Sequence, residues 1–195
     1  MDKKINYDDF GLYEGISETI VTTNRGWTAN AAPMGIIRKK DKLFVRMFKG
    51  SNTYNNVLSE KSLVVNITLD PLVFVNSTFT DLEDSDFENV NLGGRNFTAL
   101  KKAQCWIAFD CTNTKITSEA LVTELVPVGT RMNKIMIRAP NRGLFGVIEA
   151  CIHATRYKLT SDDKYLKLIK AYGDIVDKCG GEDEKEAMKL LYGYL

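Results

Sequence analysis

Histidine occurs once in this chain, at position 153, and cysteine four times, at 105, 111, 151 and 179. No two of the cysteines form a CxxC pair. A structural zinc site needs four such ligands at close spacing, so no metal site is expected. A lone histidine without an evident serine or cysteine partner gives no support to triad chemistry. Cys111 and Cys151 sit in apolar contexts that suit reduced, buried thiols rather than a disulfide framework. No apolar run approaches the length of a membrane span, and Met1–Phe10 lacks the apolar core of a signal peptide. The expected location is cytoplasmic, so the sequons at Asn66, Asn76 and Asn96 read as chance. Neither charge sign prevails: 26 Lys and Arg stand against 25 Asp and Glu. A chain-wide field for nucleic acid or anionic lipid is therefore absent. GxxxxGK[ST] is missing, which excludes a Walker loop, and GxGxxG is missing, which leaves no built-in nicotinamide fold.

What is present is ordinary globular composition, 44% hydrophobic and 26% charged in 195 residues. Charge is uneven locally. Residues 38–49 carry six basic groups, and residues 62–94 carry six acids and no base. The first two thirds read as strands: Leu12–Thr23, Trp27–Ile37, Leu43–Phe48, Ser62–Thr68, Cys105–Cys111, Leu121–Val126 and a weaker one over Lys134–Ile137. Turns of two to four residues between the early strands predict an antiparallel meander or barrel rather than βαβ winding. Pro33 marks an edge or bulge. A short helix after Lys49 is capped by Ser51 or Asn52, and Asp70-Pro71 starts another. Residues 80–96, acidic and aperiodic, read as a long surface loop, with no EF-hand spacing for calcium.

The last third is helical. Asn141 caps a helix to about Thr155 with Leu144, Ile148, Cys151, Ile152 and Thr155 on its apolar side. Two further helices, from about Ser161 to Lys178 and from Glu182, read as an antiparallel hairpin packed on the barrel. The expected division is 1–140 and 141–195, and the fold class is mixed α+β, a split β-barrel with Greek-key-like antiparallel strands and a C-terminal helical subdomain.

Three segments are candidates for chemistry. In Lys49–Asn56, Gly50 permits a tight turn, Ser51, Asn52 and Thr53 offer hydroxyl and amide groups, and the following helix points free N–H groups the same way. With Lys49 beside it and Arg46 on the preceding strand, this is an anion site suited to phosphate. The bland alternative is an ordinary helix cap. In Thr28–Gly35, Asn30, Ala31, Ala32, Pro33, Met34 and Gly35 are poor in bulk, so a flat ligand could approach the backbone. Close packing of neighbouring strands explains the same residues. On the third helix Arg142, Gly146, Glu149, His153 and Arg156 share one stripe. Glu149 and His153 could pair and raise the imidazole pKa, or the stripe is a solvated face.

In order along the chain, Glu18–Thr23, Asn30–Gly35, Lys49-Gly50-Ser51-x-Thr53-Tyr54-x-Asn56 and Val64–Thr68 resemble the FMN-binding split-barrel, flavin reductase-like group. Asp70-Pro71, Asn141-Arg142, Glu149-Ala150 and His153-Ala154-Thr155-Arg156 resemble an uncharacterised, largely archaeal branch of unknown function. The resemblance implies a homodimer with FMN at the subunit interface. Asn30, Ala31, Pro33, Met34 and Gly35 would run along the isoalloxazine ring. Lys49, Gly50, Ser51 and Thr53 would hold the phosphate, with Arg46 and Asn56 in support and Arg142 and His153 near the pocket. It implies a flavin-dependent oxidoreductase working by hydride transfer through N5, with NAD(P)H binding only transiently and no nucleic acid or membrane partner. Two alternatives stay open: a flavin-binding carrier or sensor without turnover, and an RNA- or nucleotide-binding barrel using the basic stretch and its aromatics, Phe44 and Phe48.

Overall fold

A computed structural model describes residues 5–26 and 28–195. Met1–Lys4 and Trp27 lie outside the described residues, and so do the first residues of the N-terminal segment and of the second strand as read from sequence. The described residues form two compact units. One comprises the chain up to Thr68 together with Leu82–Met136, and the other comprises Leu69–Asp81 and Ile137–Leu195.

The first unit is a closed six-stranded antiparallel barrel. It is built from β1 (Gly15–Arg25), β2 (Thr28–Lys39), β3 (Lys42–Phe48), β4 (Ser62–Ile67), β7 (Cys105–Ile116) and β8 (Ala120–Met132), in the order β1-β2-β3-β8-β7-β4. β1 closes the ring onto β4 through Ile20, Val21 and Thr22. Strict alternation along each strand sends one set of side chains inward. Leu43, Val45 and Met47 of β3, Leu121 and Leu125 of β8, and Ile107 and Phe109 of β7 meet there in a single core cluster. Helix α1 (Asn52–Glu60) adds Tyr54 and Val57 to that cluster. β2 pairs with β1 along Thr28–Arg38 but with β3 only along Ile36–Lys39. Residues 28–35 are thus a one-sided edge among the described residues, and Pro33, which has no N–H to offer, falls within it.

Residues 80–96 are not one long loop. Phe87–Leu92 (β5) and Arg95–Leu100 (β6) pair as a hairpin, after a 3-10 turn at Asp84–Asp86. Gly93 and Gly94 both have positive φ, 59° and 81°, which is the two-residue turn that matches strand twist. The hairpin lays Val90, Phe97 and Ala99 over Val64, Trp106 and Ala108 on the outer barrel wall. Asn66, fully buried, holds it there. Its amide donates to Ile20 O and Thr22 Oγ1, and its Oδ1 accepts from Leu100 N at 2.8 Å. Residues 134–137 are not a strand either; they are exposed, without ladder partners among the described residues. A β-prone composition makes a strand only where an edge receives it.

The second unit is helical. α2 (Pro71–Phe79) starts as expected, with Asp70 accepting from Leu72 N and Val73 N. It packs with α3 (Arg142–Thr160), α4 (Asp163–Cys179) and α5 (Glu182–Gly193) around Val75, Val147, Ala150, Ile169, Val176, Ala187 and Leu191. α4 packs principally on α3, and α5 meets α2 and α3 more than α4, so α4 and α5 are not the tight pair expected of them. Small residues explain the partnership. A Cβ at Gly143 would stand 2.4 Å from Gly180 Cα, and one at Gly146 would stand 3.0 Å from Val176 Cγ2. The buried face of α3 is accordingly Gly143, Leu144, Gly146, Val147, Ala150, Cys151, His153 and Ala154, while Ile148, Ile152 and Thr155 are only half-buried.

Candidate functional site

β3 ends at Phe48 and the chain turns through Lys49, Gly50 and Ser51 into α1. Gly50 has φ 88°, a conformation that favours glycine, and no atom lies within 4 Å of where its Cβ would be. Ser51 is the helix cap: its Oγ accepts from Tyr54 N at 3.2 Å and donates to Phe48 O at 3.0 Å. Asn52 N and Thr53 N, in the first turn, have no intrahelical acceptor. Lys49 is exposed and has no carboxylate partner among the described residues. The turn therefore presents an ammonium group and two helix-end N–H groups around an open glycine, a donor set for an anion.

Thr53 and Asn56 do something else. Thr53 is 1% exposed, and its Oγ1 accepts from Asn30 Nδ2 of β2 at 3.1 Å. Asn56 is buried and donates to Thr23 Oγ1 of β1 at 3.0 Å. Since Thr23 and Asn30 face each other across the β1–β2 ladder, these four side chains form a polar plug between α1 and the end of the barrel. The Thr53 hydroxyl is thus not offered to the open turn as the sequence suggests, because α1 turns that face inward beside Tyr54 and Val57. Thr23 is the member of the plug that sequence reasoning missed. Its signal is the run Thr19, Val21, Thr23, whose inward-facing threonine at a barrel end needs a hydrogen-bond partner. One residue on, Asn24 Oδ1 is buried with no hydrogen-bond partner.

The rest of the β2 segment is half-buried from Asn30 to Gly35. Met34 turns towards the barrel core, and its carbonyl accepts from Thr19 Oγ1, which leaves Ala31, Pro33 and Gly35 on the outer side. At Gly35 a Cβ would stand 2.8 Å from Ile16 Cγ2 and 3.4 Å from Glu18 Oε1, so β1 side chains use its lack of bulk. Arg46 lies over the Phe48 ring at 5.0 Å and reaches Glu119 at 3.7 Å. Half-exposed as it is, that pair contributes little.

Arg142 and His153 lie on α3, in the helical unit. Arg142 is exposed in the first turn. His153 is 8% exposed and stacks on Tyr172 and Tyr165 of α4, with ring centroids at 5.6 and 6.0 Å. Its Nδ1 is buried without a partner, and its Nε2 is 4.0 Å from Glu149. The imidazole pKa is lowered, not raised as the pairing suggested. Burial disfavours the charged ring, Arg156 adds to that, and Glu149 offsets only part. Burial pushes Cys111 and Cys151 up to about 12 and Cys105 to about 11, which leaves unreactive thiols. Among the described residues there is no His, Cys, Asp and Glu cluster able to hold a metal, and no helix long and apolar enough to cross a membrane.

The barrel topology and its capping helix define the class: the fold is the flavin reductase-like split barrel. Residues 17–134 match the N-terminal domain of the family described as protein of unknown function (DUF447), and residues 141–193 match that family's second part. The chain belongs to this family. It is 48% identical to the FMN-bound protein MM1853 from Methanosarcina mazei over 97% of this chain and 100% of that one, with a TM-score of 0.93. It is 25% identical to the uncharacterized protein MJ1453 of Methanocaldococcus jannaschii, over 90% of this chain and 96% of that one. Flavoredoxin from Methanosarcina acetivorans has the same fold at 14% identity, with a TM-score of 0.52 over 63% of this chain and 72% of that one.

Proposed function

We propose that this chain is an FMN-binding flavoprotein and that its flavin serves an oxidoreductase. The cofactor is FMN: a relative 48% identical over nearly all of the chain is FMN-bound. The residues in hand fit such a molecule. The open turn at Gly50 offers Lys49 and helix-end N–H groups to a phosphate. Asn24 Oδ1, a buried acceptor without a donor, suits a ligand that carries ring N–H groups. The observation that carries the reading is the Asn30–Thr53 hydrogen bond. It ties the bare β2 segment to the anion-binding turn, so one ligand with a phosphate end and a flat end can span both.

When bound, FMN supplies the redox chemistry, exchanging a hydride at its N5. The chain's own groups bind and orient. Lys49 and the N–H groups of Asn52 and Thr53 hold the phosphate, and Gly50 lets it approach the backbone. Ser51 acts through the helix cap, keeping those N–H groups aimed. Ala31 and Pro33 leave room for a planar ring along β2, with Met34 behind them. Asn56 and Thr23 keep α1 in register with the barrel. Arg46 adds positive charge nearby. The protein is a cytoplasmic homodimer with the flavin between its subunits, and a nicotinamide donor binds only in passing. Exposed apolar side chains flanking the turn and strand, Phe48 and Ile16, support a partner surface there.

The test is the spectrum of the purified protein, with mass analysis of what denaturation releases. FMN is the expected finding. Lys49→Ala, at an exposed position, should weaken FMN binding at least tenfold with little effect on unfolding. A colourless protein that takes up no added FMN, or a Lys49→Ala variant with unchanged affinity, would overturn the assignment. Bleaching of the bound flavin by NAD(P)H under anaerobic conditions separates an enzyme from a carrier.

A further inference from the structure

The outer wall of the barrel carries a concavity that the flavin reading does not use. It has a volume of about 380 Å³. Its floor is apolar: Ile37 of β2, Phe44 of β3 and Val122 of β8, all half-buried and all pointing away from the core that their neighbours Ile36, Leu43, Val45 and Leu121 fill. Phe44 stands at the centre, opposite Ile37 on one side and Glu124 on the other.

The rim is charged, and the charges are not balanced. Glu124 is held by Lys42 at 2.8 Å and by Asn113 Nδ2 at 2.9 Å. Both partners hold its carboxyl below the usual range, so it stays ionised. Lys39 and Lys115 also line the concavity, and among the described residues neither has a carboxylate partner. Lys39 stands directly opposite Lys42 in the β2–β3 ladder, a like-charge pair that works against the hairpin. Lys115 reaches the rim through a bulge between Thr112 and Lys115, where Asn113 takes a positive φ of 48°. Lys42 neutralises Glu124, so Lys39 and Lys115 leave two ammonium groups at the rim without a carboxylate among the described residues.

We propose that this concavity binds a small planar monocarboxylate. The ring lies on Phe44, Ile37 and Val122, and the carboxylate sits between the Lys39 and Lys115 ammonium groups. A carboxylate has an oxygen for each ammonium group and an aromatic ring has an apolar face for Phe44, whereas a phosphate has no apolar part to cover the floor. The volume is that of a small-ligand site. The inference stands apart from the flavin reading.

The test is 19F NMR titration of 4-fluorobenzoate into the protein saturated with FMN and into protein without it. Saturable binding in both is expected, with 4-fluorobenzamide at least tenfold weaker. The double variant Lys39→Met with Lys115→Met should weaken the acid at least tenfold and leave the amide unchanged. Equal binding of acid and amide overturns the proposal, as does indifference to the two lysines. Loss of the signal on FMN addition places the probe in the flavin site and overturns it too. Phe44→Glu closes the remaining route: if it halves the particle mass in solution, the face is a contact between copies and the proposal falls.

Discussion

Thr53 and Ser51 look alike in sequence and act differently. Both sit in a hydroxyl-rich turn, yet one plugs a barrel end and the other caps a helix, so both hydroxyls are already committed. What remains for an anion is Lys49 and the backbone, which is why Lys49→Ala is the informative substitution and Thr53→Ala is a stability mutation. The same correction applies at His153. Spacing alone pairs it with Glu149, but stacking between two tyrosines removes it from water, and burial outweighs a carboxylate 4.0 Å away. Because the folded-state pKa lies below the ordinary 6.5, the unfolded chain takes up a proton first as pH falls. The stability it contributes is complete above about pH 6.5 and is lost as pH drops through the lower folded-state value. Thermal unfolding followed between pH 8 and 5 should show this slope, and His153→Phe, which keeps a flat ring between the tyrosines, should flatten it. A slope unchanged in His153→Phe would assign the effect elsewhere.

Elements with local signals were legible and those made by their neighbours were not. The cap at Ser51, the Asp70-Pro71 start and the Asn141 cap all rest on contacts within four residues, and all three helices begin where sequence puts them. The β5–β6 hairpin has no such signal. Its apolar residues in β5, Phe87, Val90 and Leu92, keep no regular alternation, and its stability comes from lying on Trp106 and Val64. The Gly93-Gly94 pair was the clue available. Asn66 is the fastening. Asn66→Ala leaves Leu100 N–H buried without its acceptor and should cost about 3 kcal/mol. The check is a lower urea midpoint together with faster exchange of the Leu100 amide; slow exchange retained there would mean the hairpin is fastened otherwise. α3 makes the same point in a helix. Large residues suggested one face, but glycines and alanines decide it, because α4 packs closer than an isoleucine allows.

The barrel and the family were legible as an ordered set of weak motifs, no one of which suffices. What no motif could supply is the burial state of each polar group, since that depends on strands far apart in sequence closing onto one another. The proposed homodimer is a claim of this kind. Light scattering on the FMN-loaded protein should give the mass of two chains, and Ile16→Lys should lower it towards one. A single-chain mass with FMN bound would sink the shared-site reading while leaving the flavin itself in place.

The helical unit is assembled from two stretches, Leu69–Asp81 and Ile137–Leu195, with two barrel strands and a hairpin threaded between them. Arg138 shows what this entails, since its guanidinium joins Leu69 O to the buried Glu184. During synthesis α2 leaves the ribosome long before the helices that cover Val75 exist. Nascent chains are therefore exposed to chaperones and proteases at α2 until the last turn of α5 arrives, and a truncation after β8 strands a greasy helix without α3 and α5, the helices that pack on it.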